Sequence, residues 1–314
     1  MQKRQLGRTG LSISPVVFGG NVFGWTADEK TSLELLDRFF DAGFNTIDTA
    51  DVYSRWVSGH QGGESETIIG RWLKRGTRDR AIIVTKVGMD MGQGKPDLSA
   101  KWIIEEVENS LRRLQTDHID VYLAHTFDPN TDQEETLSAF TKLQQQGKIR
   151  AFGCSNFNAD QLQASLDIAS KAGLQRYDVI QPEYNLYTRD SFEGPLSTLC
   201  QREDIGVISY FALASGFLTG KYRSAEDAEG AARGGRVGTY LNERGFRILK
   251  ALDEVAKETG EKLATVAIAW VAAKPGITAP IASATSLSQL ESLIAAGKLS
   301  LTSAQIAHLD QAGA

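Results

Sequence analysis

Apolar residues recur along the chain in two alternating spacings. Short runs rich in Val, Ile, Leu and Phe at 16–18, 44–48, 81–85, 119–123, 150–154, 178–181, 206–210 and 279–282 have the length of buried strands. Each is followed by at least one stretch with apolar positions three and four apart. In 29–42, Leu35, Leu36, Phe39 and Phe40 form one stripe, Thr26 and Glu29 have capping-box spacing, and Gly43 suits the stop. Ile68, Ile69, Trp72 and Leu73 mark a second helix with Gly76 at its end, and Ile103, Ile104, Val107, Leu111 and Leu114 line a third. Further helices are predicted over 133–146, 159–172, 195–202, 240–259, 264–273 and 288–296.

Eight such strand–helix units in about 300 residues predict an α/β fold, a closed (β/α)8 barrel of the TIM type, as one domain over 1–314. A doubly wound open sheet would want a glycine fingerprint after the first strand, and Gly19, Gly20 and Gly24 lack its spacing. The segment 4–14, with Gly7 and Gly10 in its middle, reads as an N-terminal β-hairpin, and 303–312 as an extra C-terminal helix.

Charge and composition narrow the function classes. Lys and Arg number 34 against 39 Asp and Glu, a net charge of −5, so the dense basic face of a nonspecific nucleic-acid binder is missing. No run of eighteen apolar residues suggests a membrane span, and no apolar stretch behind the basic start suggests a signal peptide. Cys154 and Cys200 are too few for a disulfide framework, so reduced thiols and a cytoplasmic location are expected. Oligomeric state is not legible.

In a barrel, groups at the carboxyl ends of strands converge on one rim whatever their separation in sequence. The second strand ends at Asp48, with Tyr53 on the loop beyond; the third ends at Lys86 and the fourth runs into His125. An acid, a phenol, an amine and an imidazole thus face one cavity from three neighbouring strands. Burying Asp and Lys near each other is costly unless they pair. The set suits proton transfer to a carbonyl oxygen: Lys86, held by Asp48, is expected to lower the Tyr53 pKa from about 10, and His125 to bond the substrate oxygen. No metal-ligand pattern accompanies them; the histidines stand at 60, 118, 125 and 308 without HExxH or CxxC spacing.

Over nearly its whole length the chain resembles the aldo-keto reductases. The carrying motifs come in order: Leu6-Gly7-Arg8-Thr9-Gly10-Leu11, Asp48-Thr49-Ala50-Asp51-Val52-Tyr53, Gly63-Glu64-Ser65-Glu66, Thr85-Lys86, Tyr122-Leu123-Ala124-His125 and Gly153-Cys154-Ser155-Asn156. The resemblance, to a bacterial-type branch similar to the potassium-channel β-subunit-like members, implies hydride transfer between a nicotinamide dinucleotide and an aldehyde, ketone or alcohol. Tyr53 would be the proton donor, with Asp48, Lys86 and His125 completing a tetrad.

It also implies a cofactor cradle. Ser155, Asn156 and Gln181 would bond the carboxamide, Tyr210 would stack on the nicotinamide, Gly19, Gly20 and Asn21 would lie under the ribose, and Asp48 would also touch the cofactor. The run 211–222, with Phe211, Leu213, Ser215 and Lys221, resembles the pyrophosphate loop. The adenosine end departs from the common pattern. Many relatives carry Lys or Arg after the last strand and Glu-Asn in the helix behind it, where this chain has Ser283, Thr285, Gln289, Ser292 and Leu293. With Arg233 or Arg236 supplying charge, NADP(H) is expected over NAD(H). Trp25, Trp56, His125 and Phe127 are candidate substrate contacts at an aromatic mouth for a small carbonyl or alcohol. Two alternatives stand beside this reading. One is a nucleotide-bound regulatory subunit, disfavoured by the complete tetrad. The other is a Schiff-base isomerase or lyase acting through Lys86, which would leave Ser155, Asn156, Gln181 and Tyr210 without a purpose.

Overall fold

The computed structural model describes residues 2–229 and 234–314. Strands β1 (Arg4–Gln5) and β2 (Ser12–Ile13) form the antiparallel hairpin. The other eight strands are β3 (Val17–Gly19), β4 (Thr46–Asp48), β5 (Ile82–Val87), β6 (Ile119–Ala124), β7 (Ile149–Ser155), β8 (Val179–Gln181), β9 (Gly206–Ser209) and β10 (Ala279–Ala282). They pair in parallel in that order, and β10 returns to β3 to close the barrel. Around them run α1 (Glu29–Asp41), α2 (Glu64–Leu73), α3 (Ala100–Leu114), α4 (Gln133–Gln145), α5 (Ala159–Ala172), α6 (Pro195–Arg202), the short α7 (Gly234–Val237), α8 (Glu243–Thr259), α9 (Leu263–Ala273), α10 (Leu287–Ala296) and the C-terminal α11 (Ser303–Gly313). The expected closed barrel with its hairpin is thus observed. No helix among the described residues is long and apolar enough to cross a membrane.

Side-chain alternation along the strands splits the core in two. Val17, Ile82, Val84, Val121, Leu123, Ala151, Val179, Ile208, Ala279 and Ile281 form a buried cluster inside the barrel, joined by Leu6, Leu11 and Ile13 of the hairpin. Phe18, Ile47, Ile83, Tyr122, Phe152, Ile180 and Val207, of opposite parity, pack outward on the helices. The hairpin plugs the amino end of the barrel at close range. A Cβ on Gly7, at φ +49°, would stand 2.4 Å from Gly206 N, so a side chain there would force the hairpin off its seat.

Several boundaries differ from the sequence expectation. Helix α1 is capped by Asp28, whose carboxylate accepts from Thr31 N at 2.8 Å; Thr26 belongs to the preceding turn, its N–H donating to Val22 O. Helix α8 starts at Glu243 because Asn242 caps it by accepting from Gly245 N, and 238–240 form a tighter turn. Tyr210 lies one residue beyond β9, where it makes a single bridge to Glu183.

Candidate active site

The inward parity established by Val17, Ile82, Val121, Ala151, Val179, Ile208 and Ala279 ends, at the carboxyl rim, on Gly19, Lys86, His125, Ser155, Gln181, Tyr210 and Ser283, and on Asp48 from β4. The apolar filling of the barrel therefore gives way to a polar layer. Asp48 is 2% exposed, Lys86 0% and His125 8%. A fully buried ammonium needs partners for its three protons. Lys86 Nζ donates to Asp48 Oδ1 at 2.7 Å, to the Thr49 carbonyl at 2.7 Å and to Tyr53 OH at 3.1 Å. The second Asp48 oxygen accepts from Gln181 Nε2 at 2.7 Å. Every Lys86 proton is thus used, and one of its three partners is the Tyr53 phenol.

Protonation states follow from burial and these contacts. Burial lowers the Lys86 pKa, but Asp48 and Tyr53 together outweigh it and raise it above the usual lysine value. Burial raises Asp48, with Lys86 and Gln181 drawing it back. For Tyr53 burial again dominates: its pKa lies above the ordinary phenol value, and the pull of Lys86 offsets this only in part. The expectation of a lowered Tyr53 pKa is therefore corrected, and the phenol carries its proton near neutrality. Burial, then the Lys86 charge, pushes His125 well below the usual imidazole range, so its ring is neutral. Its Nδ1 is buried without a hydrogen-bond partner among the described residues, and its ring stands edge-on to Tyr53 with centroids 5.9 Å apart.

Tyr53 is held through its backbone and by a loop capped on Glu64. Its carbonyl accepts from Gly63 N at 2.9 Å and Ser65 N at 3.4 Å. The Glu64 carboxylate accepts from the N–H groups of Ser54, Gln61 and Gly62. Trp56, on the same loop, meets the Tyr53 ring at 5.7 Å and the Trp25 ring at 5.6 Å. Phe127 lies further out in the packing, edge-on to Phe157 at 5.3 Å.

On the other side of the rim, the polar residues are linked to each other. Ser155 Oγ donates to the Gln181 carbonyl at 2.8 Å, Asn156 Nδ2 to the His125 carbonyl at 2.9 Å, and Tyr210 OH to Asn156 Oδ1 at 2.7 Å. Beyond them, Phe211, Ala214, Ser215 and Gly216 all take positive φ, three of them without being glycine. Such strain persists only where surrounding structure demands it and clusters at ligand sites. The Ser215 hydroxyl is buried, and a Cβ on Gly216 would lie 3.9 Å from Lys221 Nζ. An ammonium and a buried hydroxyl therefore flank a sharply turned backbone, a donor set suited to a pyrophosphate. At the end of β10, Ser283 Oγ donates to Asn21 Oδ1 at 2.7 Å, next to Gly20, and Gln289 Oε1 accepts from the N–H and hydroxyl of Thr285. Arg236 stands over the Phe211 ring at 4.7 Å, and Arg233 lies outside the described residues.

Residues 15–314 match the model of the aldo/keto reductase family. The chain belongs to this family. It is 34% identical over 305 residues to the aldo-keto reductase YhdN of Bacillus subtilis (strain 168), covering 93% of this chain and 88% of that one. It is 34% identical over 299 residues to a probable voltage-gated potassium channel subunit beta of Oryza sativa subsp. japonica, 92% of this chain and 89% of that one. The L-glyceraldehyde 3-phosphate reductase of Escherichia coli O157:H7 is 30% identical over 324 residues, 99% of this chain and 92% of that one. As an aldo/keto reductase the chain is an oxidoreductase of a family that generally works with NAD(P)H. Its rim fits such a cofactor on its own evidence, since the strained turn through Phe211, Ala214, Ser215 and Gly216 sets the buried Ser215 hydroxyl and the Lys221 ammonium side by side. Two features escaped the sequence reading: the bond from Gln181 to Asp48, and the Glu64 cap, whose only sequence signal is an acid placed just behind Gly62 and Gly63.

Proposed function

We propose that the protein reduces a small aldehyde or ketone to the alcohol, and runs the reverse oxidation, with NADP(H) preferred over NAD(H). A nicotinamide held at the rim would supply the hydride that the carbonyl carbon takes up. Tyr53 OH donates its proton to the carbonyl oxygen, so the alcohol forms and a phenolate is left beside Lys86. The Lys86 ammonium stabilises that phenolate, and Asp48, itself bonded by Gln181, keeps the ammonium charged and aimed. Neutral His125 offers a ring N–H to the substrate oxygen and fixes its approach to Tyr53. Trp25, Trp56 and Phe127 would wall the substrate.

Ser155, Asn156, Gln181 and Tyr210 would hold the nicotinamide, and Gly20, Asn21 and Asp48 its ribose. Phe211, Leu213, Ser215 and Lys221 would take the pyrophosphate, and Ser283, Thr285 and Gln289 the adenosine end. In support of NADP(H), Lys262 Nζ approaches the Ser288 carbonyl at 3.4 Å and brings a cation to the turn that carries Thr285 and Gln289. The observation that carries the proposal is the Lys86 ammonium with all three protons committed, one of them to Tyr53.

The test is a panel of aldehydes, including glyceraldehyde 3-phosphate, with NADPH and NADH on the purified protein. Oxidation of NADPH by one or more members, with tighter binding of NADPH than NADH, is expected. Much tighter NADH binding would overturn the cofactor preference. Bound NADPH without turnover of any carbonyl would instead favour a regulatory role such as the name of the rice relative describes.

A further inference from the structure

Behind Tyr53 and Lys86, outside the barrel wall, lies a second buried set of charges that the proton chemistry does not use. Asp51 and Glu66 are fully buried and Glu106 is 3% exposed. Arg113, near the end of α3, reaches into them. Its Nε donates to Glu66 Oε2 at 2.6 Å, and its Nη2 to Glu106 Oε1 at 2.5 Å and Ser110 Oγ at 3.1 Å. A buried ion cluster costs more to desolvate than it returns unless geometry is strict. Its placement here therefore calls for a reason beyond stability.

Two connections supply one. The first leads to Tyr53. The Arg113 side chain lies flat on Gly63, where a Cβ would stand 2.3 Å from Arg113 Cδ and 2.6 Å from Nε. Gly63 N is also the donor to the Tyr53 carbonyl at 2.9 Å. Only a glycine, here at φ +84°, lets the guanidinium stem press on the backbone that carries the Tyr53 contact. The second leads to Lys86. Glu66 Oε1 accepts from Thr85 Oγ1 at 2.6 Å, on the outward face of β5, one residue before Lys86 on the inward face. One guanidinium thus braces both the loop that presents the phenol and the strand that presents the ammonium.

We propose that Arg113, acting through Glu66 and Gly63, is a positioning residue that fixes the Tyr53–Lys86 separation from outside the barrel. The proposal rests on the reading of Tyr53 and Lys86 given above. A displacement of about 1 Å between reacting groups can cost around 100-fold in rate, so the brace acts on kcat, while Ser155, Asn156, Tyr210 and the pyrophosphate turn on the opposite side of the rim are untouched.

The test uses Arg113→Ala and Thr85→Val in the full chain, with steady-state kinetics, NADPH titration by fluorescence and circular dichroism. For Arg113→Ala, a fall in kcat of about 100-fold is expected, with the NADPH dissociation constant unchanged. Added guanidinium at millimolar level should restore much of the loss, because the Arg113 side chain is 21% exposed and its removal opens a site between Glu66 and Glu106. Thr85→Val deletes one hydroxyl and no charge, and should lower kcat about tenfold in a folded protein. It decides alone if Arg113→Ala does not fold. In a Tyr53→Phe background Thr85→Val should cost nothing further. Wild-type kcat in Thr85→Val, or a loss in folded Arg113→Ala that guanidinium leaves unchanged, overturns the proposal. If Tyr53→Phe itself turns over at the wild-type rate, the underlying reading fails instead.

Discussion

Replacing Lys86 by methionine separates the ammonium's effect on Tyr53 from its role in folding. The two groups are 3.1 Å apart. At an effective dielectric of about 20, a unit charge at that distance stabilises a phenolate by about 5 kcal/mol. If half of the phenolate charge has developed when the proton leaves, the loss is about 2.5 kcal/mol, or roughly 70-fold in kcat. Lys86→Met also leaves Asp48 buried without its cation, at a cost of about 3–5 kcal/mol in stability. Adding Asp48→Asn removes that uncompensated charge. The double variant should therefore regain thermal stability but not rate. The assay is stopped-flow oxidation of prebound NADPH by an aldehyde from the panel, with thermal unfolding measured on the same samples. Turnover of folded Lys86→Met within threefold of wild type would refute the electrostatic coupling, and recovery of rate in the double variant would show that only folding had been lost.

Protonation states give two more tests. The folded Asp51 pKa is raised well above its ordinary value by burial and by the Glu66 and Glu106 charges. Its contribution to stability is therefore full below the ordinary carboxylate pKa and is lost as pH rises toward the raised one. Asp51→Asn, which cannot ionise, should lose less melting temperature than wild type as pH rises from about 4, the ordinary carboxylate pKa; parallel curves would contradict the raised pKa. For His125 the direction is opposite. Its ring stays neutral below the usual imidazole range, and Tyr53 keeps its proton up to and beyond the usual phenol value. Carbonyl reduction should then show a flat kcat from about pH 6 to 9, and an acid limb near the ordinary histidine pKa that disappears in His125→Gln would overturn the assignment of a neutral ring.

How far the fold was readable follows from which interactions are local. The alternation of β-rich runs with 3.6-residue stripes is local, and it was enough for eight strands, their helices and the hairpin. The rim was readable because inward parity and strand ends are set by position alone: Asp48, Lys86, His125, Ser155 and Gln181 come together without any detail of packing. What depends on tertiary burial was not. The Tyr53 pKa goes up because desolvation exceeds the pull of Lys86, a balance that no spacing reports. Gln181 reads as a ligand for a carboxamide, yet its Nε2 is committed to Asp48. Arg113 reads as one more basic residue in the last turn of a helix; only the packing of α3 on α2 shows it lying on Gly63. The cap of α1 falls at Asp28 and not at Thr26 because Asp28, two residues on, offers a charged acceptor at the helix amino end.

The most direct measurement is single-turnover hydride transfer in Tyr53→Phe with NADPH already bound. Loss of the Tyr53 hydroxyl removes the donated proton and nothing from the cofactor cradle. A rate lower by about 1,000-fold, with the NADPH dissociation constant unchanged, is the expected result. A Tyr53→Phe protein that still reduces its carbonyl within tenfold of the wild-type rate would contradict the assignment of Tyr53 as proton donor.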